Sequence, residues 1–84
     1  IIAGTGTINF LGEVGAIGGI KQKLEGSSKH GADLFLAPLG NCKEIKKDSY
    51  KSMPVVAVSS LSEAITSIQT FTKTGSIKGL KTCQ

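Results

Sequence analysis

Gly18-Gly19-Ile20-Lys21-Gln22-Lys23-Leu24-Glu25 is the stretch of this 84-residue chain whose residue types and spacing could do chemistry. It reads as a helix opening behind a glycine pair. With Ile20 at zero and about 100° per residue, Leu24 falls at about 40°, Ser27 at about 340° and Lys23 at about 300°, all within one stripe. Lys21, Gln22 and Glu25 take the other side, at about 100°, 200° and 140°. Lys21 therefore reaches water freely, whereas Lys23 is expected to snorkel along the apolar face or to stay partly buried. Burial of an ammonium group is costly, and buried lysines tend to give up the proton. An uncharged lysine amine is a general base. Snorkelling at the edge of the stripe is the ordinary alternative, and the helix by itself leaves both open.

The elements that must hold this helix follow from local pattern. Residues 1–10 are rich in Ile, Phe and Thr, a β composition broken by Gly4 and Gly6, where a bulge or a close backbone approach is expected. A hairpin turn at residues 9–13 leads to a short strand at 14–17, and the glycine pair then opens a helix over 20–29 with Gly31 just past its end. Residues 33–37 read as a buried strand. Asn41 to Glu44 has the spacing of a capping-box variant and predicts a short helix to about residue 47. Residues 48–52 read as a polar connection. Pro54-Val55-Val56-Ala57-Val58 is a β-branched strand, and Ser60-Leu61-Ser62-Glu63 caps a last helix. The apolar positions of that helix are Leu61, Ala64, Ile65, Ile68 and Phe71. From Thr72 no period continues, so the chain divides into a folded unit over 1–71 and a flexible tail over 72–84. Strands alternating with helices predict an α/β chain of the α+β, two-layer kind, a small mixed sheet with two main helices packed on it.

Composition sets limits on function. A hydrophobic content of 39%, with three Phe, one Tyr and no Trp, supports one thin core. The net charge of +4 comes from ten lysines without arginine, and there is no aromatic stacking platform, so these lysines read as solvated surface and not as a nucleic-acid stripe. A small basic binding domain is kept as the weakest alternative. His30, the single histidine, falls at the end of the first helix, where the dipole favours a cation. No metal or cofactor site emerges from one His and two Cys. A Cys42–Cys83 bridge requires the aperiodic tail to fold back, which is not expected. Gly4-Thr5-Gly6 lacks the third glycine of a dinucleotide fingerprint, and Gly18-Gly19-Ile20-Lys21 lacks the hydroxyl residue of a phosphate loop. No run of eighteen apolar residues and no signal peptide is seen, and an apolar start at Ile1 without methionine reads as the later part of a longer polypeptide.

Residues 2–65 resemble something specific. Ala3-Gly4-Thr5-Gly6-Thr7-Ile8, Gly12-Glu13-Val14-Gly15 and Ile17-Gly18-Gly19-Ile20-Lys21-Gln22-Lys23-Leu24 look like the second half of the proteolytic domain of the Lon protease family. Gly31-Ala32-Asp33-Leu34-Phe35-Leu36-Ala37-Pro38, the Asn41-Cys42 corner and Pro54-Val55-Val56-Ala57-Val58 continue the match. The likeness is greatest to bacterial Lon-like peptidases with a PDZ domain and a membrane anchor, whose strand reads Gly-Thr-Gly-Thr-Ile where ATP-dependent Lon has Thr-Gly-Glu.

The resemblance implies a serine peptidase with a Ser/Lys dyad. Its lysine is the fourth residue after the glycine pair, Lys23, and a strand threonine that hydrogen-bonds it maps to Thr5. A serine hydroxyl needs a neighbouring base to take its proton, and an amine serves where histidine is lacking. The family's nucleophile lies in a Pro-Ser-Ala-Gly motif that no serine here matches. Ser27 and Ser28 follow the lysine, and Ser59 and Ser60 sit at a cap. The chain is thus expected to hold the base without the nucleophile and to be inactive alone, its serine supplied by an upstream segment of the parent domain. By resemblance, substrates are polypeptides, the assembly is a homo-oligomer (a hexameric ring), and the peptidase domain lies outside the cytoplasm on a membrane anchor, with a cytoplasmic setting as the alternative. No cofactor is expected in this chain; a nucleotide is implied only if the parent is of the ATP-dependent kind, and the Gly-Thr-Gly-Thr strand favours the other kind. A non-catalytic scaffold or oligomerisation module derived from such a domain is the other reading.

Overall fold

The computed structural model describes residues 1–45 and 53–83. Its elements are β1 (Ile2–Gly4), β2 (Thr7–Ile8), β3 (Val14–Gly15), α1 (Ile20–Lys29), β4 (Leu34–Pro38), a 3-10 helix (Leu39–Glu44), β5 (Val55–Val58) and α2 (Leu61–Thr74). Parallel and antiparallel strands with helices packed on them make an α+β fold. The larger sheet is parallel in the order β1-β4-β5, with Ala3 opposite Phe35 and Leu36 opposite Val56. β2 and β3 form a separate antiparallel ladder.

β4 is buried along its whole length, which is why its sequence is continuously apolar and does not alternate. Phe35 and Ala37 join Ile20 and Leu24 of α1 on one face, while Leu34 and Leu36 join Val56 and Val58 beneath Ala64, Ile68 and Phe71 of α2 on the other. The helices thus divide between the two faces, one layer more than the thin core predicted from composition. Leu61 and Ile65, which share the helical period of α2, stay exposed at its start.

Residues 1–10 do not form one strand. β1 ends at Gly4 and β2 starts at Thr7 in the second ladder. Gly6, at φ 148°, makes this change of direction where a Cβ would come within 3.0 Å of Val14 and 3.2 Å of Pro38, so the close approach expected of this glycine pair is real at Gly6. The predicted turn at 9–13 is held by Asn9, whose Oδ1 accepts from the N–H groups of Leu11 and Glu13 at 2.9 and 3.0 Å.

Two expectations for the second half need correction. The short helix begins at Leu39 rather than behind Asn41, with Pro38 at its N-cap and no side-chain cap, because the Asn41 side chain is engaged elsewhere. The part of that helix predicted beyond residue 45, and the polar connection at 48–52, lie outside the described residues. The capping box of α2 forms as predicted. Ser60 Oγ accepts from the Glu63 N–H at 3.1 Å, while the Glu63 carboxylate reaches back one residue further than the usual pattern, to the N–H and hydroxyl of Ser59 at 2.6 and 2.7 Å.

The end of the chain differs most from expectation. α2 continues to Thr74 and stops at Gly75 in the left-handed region, φ 71°, whose N–H donates to Phe71 O at 2.7 Å. The following residues turn back along β5. Ile77 and Leu80 pack on the α2-side core, the Ala57 N–H donates to Lys81 O at 2.9 Å, and Val56 bridges Thr82 in antiparallel sense. Cys83 thereby reaches Cys42 and is disulfide-bonded to it, with Cα atoms 4.9 Å apart. The bridge doubted from sequence exists because two apolar side chains and a main-chain pairing bring the strand back, none of which leaves a period. No helix among the described residues is long and apolar enough to cross a membrane.

Candidate active site

α1 is the element that carries Lys23, and its burial is narrower than the wheel predicted. Ile20 and Leu24 are essentially inaccessible, Gly26, Ser27 and Ser28 are half-buried, and Lys23 is exposed. Of the two outcomes the helix left open, the structure shows the second: Lys23 is not partly buried but snorkels at the edge of the stripe. The reason is the topology. β1 is an edge strand, so the flank of α1 beyond Leu24 faces an open sheet edge instead of another strand. Lys21 is exposed too, on the opposite flank.

Lys23 nonetheless does not stand alone. It lines a groove of about 420 Å³ between β1 and α1 together with Thr5, Ser27 and His30, and Phe35 contributes to its apolar lining. Lys23, Ser27 and His30 are spaced four and three residues apart, one face of the helix. His30 sits at the C-cap of α1, with its backbone N–H donating to Gly26 O at 3.1 Å, as the cap position predicts. Its place in the same groove as Lys23 was not foreseen.

Thr5 follows β1 directly and is half-buried. Its N–H donates to Leu36 O at 3.2 Å, so Thr5 turns its main chain towards β4. In a parallel ladder successive residues alternate, and Gly4 and Ile2 then direct their N–H and C=O groups to the free edge, into the side of the sheet where the groove opens. The structure brings the two sequence-predicted residues to one groove, without a hydrogen bond between Thr5 Oγ1 and Lys23 Nζ. An amine, a hydroxyl and a free strand edge around one concavity can bind an extended peptide and accept a proton from a nucleophile placed there. A second groove of about 240 Å³ lies on the other face, between Gly4, Thr5, Val14, Leu61 and Ala64, and is almost wholly apolar. Among the described residues no three His, Cys, Asp or Glu side chains gather as a metal site would require.

Sequence reasoning missed Asn41. Its side chain is fully buried and bonded to the main chain of Ile17, which leads into the glycine pair before α1. The resemblance includes the Asn41-Cys42 corner, but nothing local shows this partner, because an asparagine three residues before a glutamate is also the pattern of a helix cap.

The family model of the Lon protease (S16) C-terminal proteolytic domain matches residues 1–71. Over 68 residues the chain is 34% identical to the Lon protease of Neorickettsia sennetsu, an alignment that covers 77% of this chain and 8% of that protein. The chain thus spans a small part of the length of this curated relative. It belongs to the family of the Lon protease (S16) C-terminal proteolytic domain.

Proposed function

We propose that this chain is the lysine-bearing part of a Lon-like serine endopeptidase that hydrolyses polypeptides through a Ser/Lys dyad. Lys23 takes the proton of a serine carried outside these 84 residues as that serine attacks the scissile carbonyl. It returns the proton to the leaving amine, and water then hydrolyses the acyl-enzyme by the same relay. Thr5 aims the amine. The observation that carries this reading is the shared groove, which Thr5 after β1 and Lys23 on α1 both line beside the β1 edge of the sheet. An exposed amine fits this role if the serine-bearing segment covers the groove, since closure removes water from around the base.

The reading is supported further by the disulfide, which suits a peptidase domain held outside the reducing cytoplasm. Assembly as a homo-oligomer is favoured by Phe10 and Leu11, 97% and 71% exposed at the β2–β3 turn, whose Gly12 O accepts from the N–H of the exposed Leu61 at 2.8 Å.

The test joins this chain to its serine-bearing segment and treats the product, and the chain alone, with a serine-directed phosphonate probe. Labelling of the joined protein only is expected. Labelling of neither, in folded protein, would leave the scaffold reading in its place.

A further inference from the structure

Asn41 has no exposed surface, and its side-chain amide is bonded three ways. Oδ1 accepts from the Ile17 N–H at 3.0 Å, and Nδ2 donates to Ile17 O at 2.8 Å and to Glu44 Oε1 at 3.0 Å. The first two bonds pair the amide with Ile17 as a neighbouring strand would.

Ile17 is the last residue before the glycine pair, and the pair itself is not held by packing. A Cβ at Gly18 would meet nothing within 4 Å, and one at Gly19 would meet only the flexible end of Gln22 at 3.6 Å. Gly19 is the helix N-cap at φ 70°, with no side-chain cap. A turn of this kind pivots unless its two ends are fixed. One end is fixed by the burial of Ile20 and Leu24, the other by the Asn41 clamp on Ile17. The Lys23 N–H donates to Gly19 O at 3.2 Å, so the lysine rides on the first turn that this clamp places.

We propose that Asn41 is a positioning residue for Lys23. By clamping Ile17 it sets where the first turn of α1 stands, and so where the Lys23 amine enters the groove beside Thr5. This rests on Lys23 being the base.

The experiment is a double-mutant cycle in a polypeptide that joins this chain to its serine-bearing segment, with an activated ester as substrate so that residual rates are measurable. Asn41→Asp keeps an acceptor for the Ile17 N–H, loses both donors and sets a carboxylate against Glu44. Because misplacing a reacting group by about 1 Å can cost on the order of 100-fold, kcat per folded molecule should fall by about 10- to 100-fold with KM within about twofold. In the Lys23→Ala background the same change should cost less than about twofold, since Asn41 would then have no base to place. Glu44→Ala, on an exposed residue, frees one Asn41 donor without introducing charge, and decides the question if Asn41→Asp does not fold. It should lower kcat by about threefold, and again only when Lys23 is present. Equal losses with and without Lys23, a loss confined to KM, or full kcat in both variants would overturn the positioning role. Wild-type turnover in Lys23→Ala would instead remove the base assignment itself.

Discussion

Lys23 on α1 and Thr5 at the end of β1, eighteen positions apart in the chain, line one groove although no hydrogen bond joins them. The pairing is made by the β1–β4 ladder and the burial of Ile20 and Leu24, which together fix the spacing between strand and helix. The lysine is exposed beside a strand edge that no described residue pairs with. Chemistry at this place therefore depends on what pairs with β1 as much as on the lysine.

The same packing defines a stability contrast. Leu24 is fully buried and Ile65 is 48% exposed, though both are large aliphatics on a helix. Leu24→Ala should destabilise the chain by about 2–5 kcal/mol, from lost transfer energy and the cavity left behind. Ile65→Gln should stay within about 0.5 kcal/mol. Urea unfolding followed by circular dichroism measures both, and similar midpoints for the two variants would contradict the division of the core.

Much of this was legible before any coordinates, and the parts that were share a cause. α1, β5 and the Ser60–Glu63 capping box announce themselves through neighbours three, two or four residues apart. The split of residues 1–10 arises instead from Gly6 being pressed between Val14 and Pro38, a contact with no local trace. The return of residues 75–83 rests on Ile77 and Leu80 and on main-chain pairing with β5, which leave too little for a pattern. The helical wheel sets Lys23 at the edge of the Ile20/Leu24 stripe, but its exposure depends on the strand order, which periodicity does not encode. Asn41 has the local pattern of a cap, while its true partner, Ile17, lies 24 residues away.

The disulfide should be a large part of the stability of so small a chain. Closing a loop of 41 residues' separation is worth about 4 kcal/mol in the chain-entropy account. Reduction, or Cys42→Ser with Cys83→Ser, should lower stability by about that amount and speed amide exchange first at Ala57, whose N–H donates to Lys81 O. An unchanged unfolding midpoint on reduction would show that the bridge does not constrain the chain.

Acid should weaken the start of α2. The hydrogen bonds from the hydroxyl and N–H of Ser59 hold the Glu63 carboxyl below its ordinary range, with a smaller pull from Lys81. A carboxyl lowered on folding adds stability above its unfolded pKa, and that contribution disappears as pH falls through the folded value. The difference in Tm between the wild-type chain and Glu63→Gln should therefore be present at neutral pH and shrink below about pH 4. A difference that persists or grows in acid would contradict the carboxylate's role in the cap.

Lys21 provides the control for the lysine assignment. It precedes Lys23 by two residues, is also exposed and is absent from the groove. Lys21→Ala should leave kcat/KM of the joined peptidase within about twofold, corresponding to no more than about 0.4 kcal/mol of transition-state stabilisation. A dead Lys21 variant would mean that the opposite flank of α1 faces the chemistry.

The most direct measurement is peptide turnover by Lys23→Ala in the polypeptide that carries both this chain and its serine, with folding checked by circular dichroism. Loss of turnover by about 100- to 10,000-fold at an unchanged unfolding midpoint is the expected result, because that is what one general base contributes. Turnover at the wild-type rate would contradict the role of Lys23 as the base.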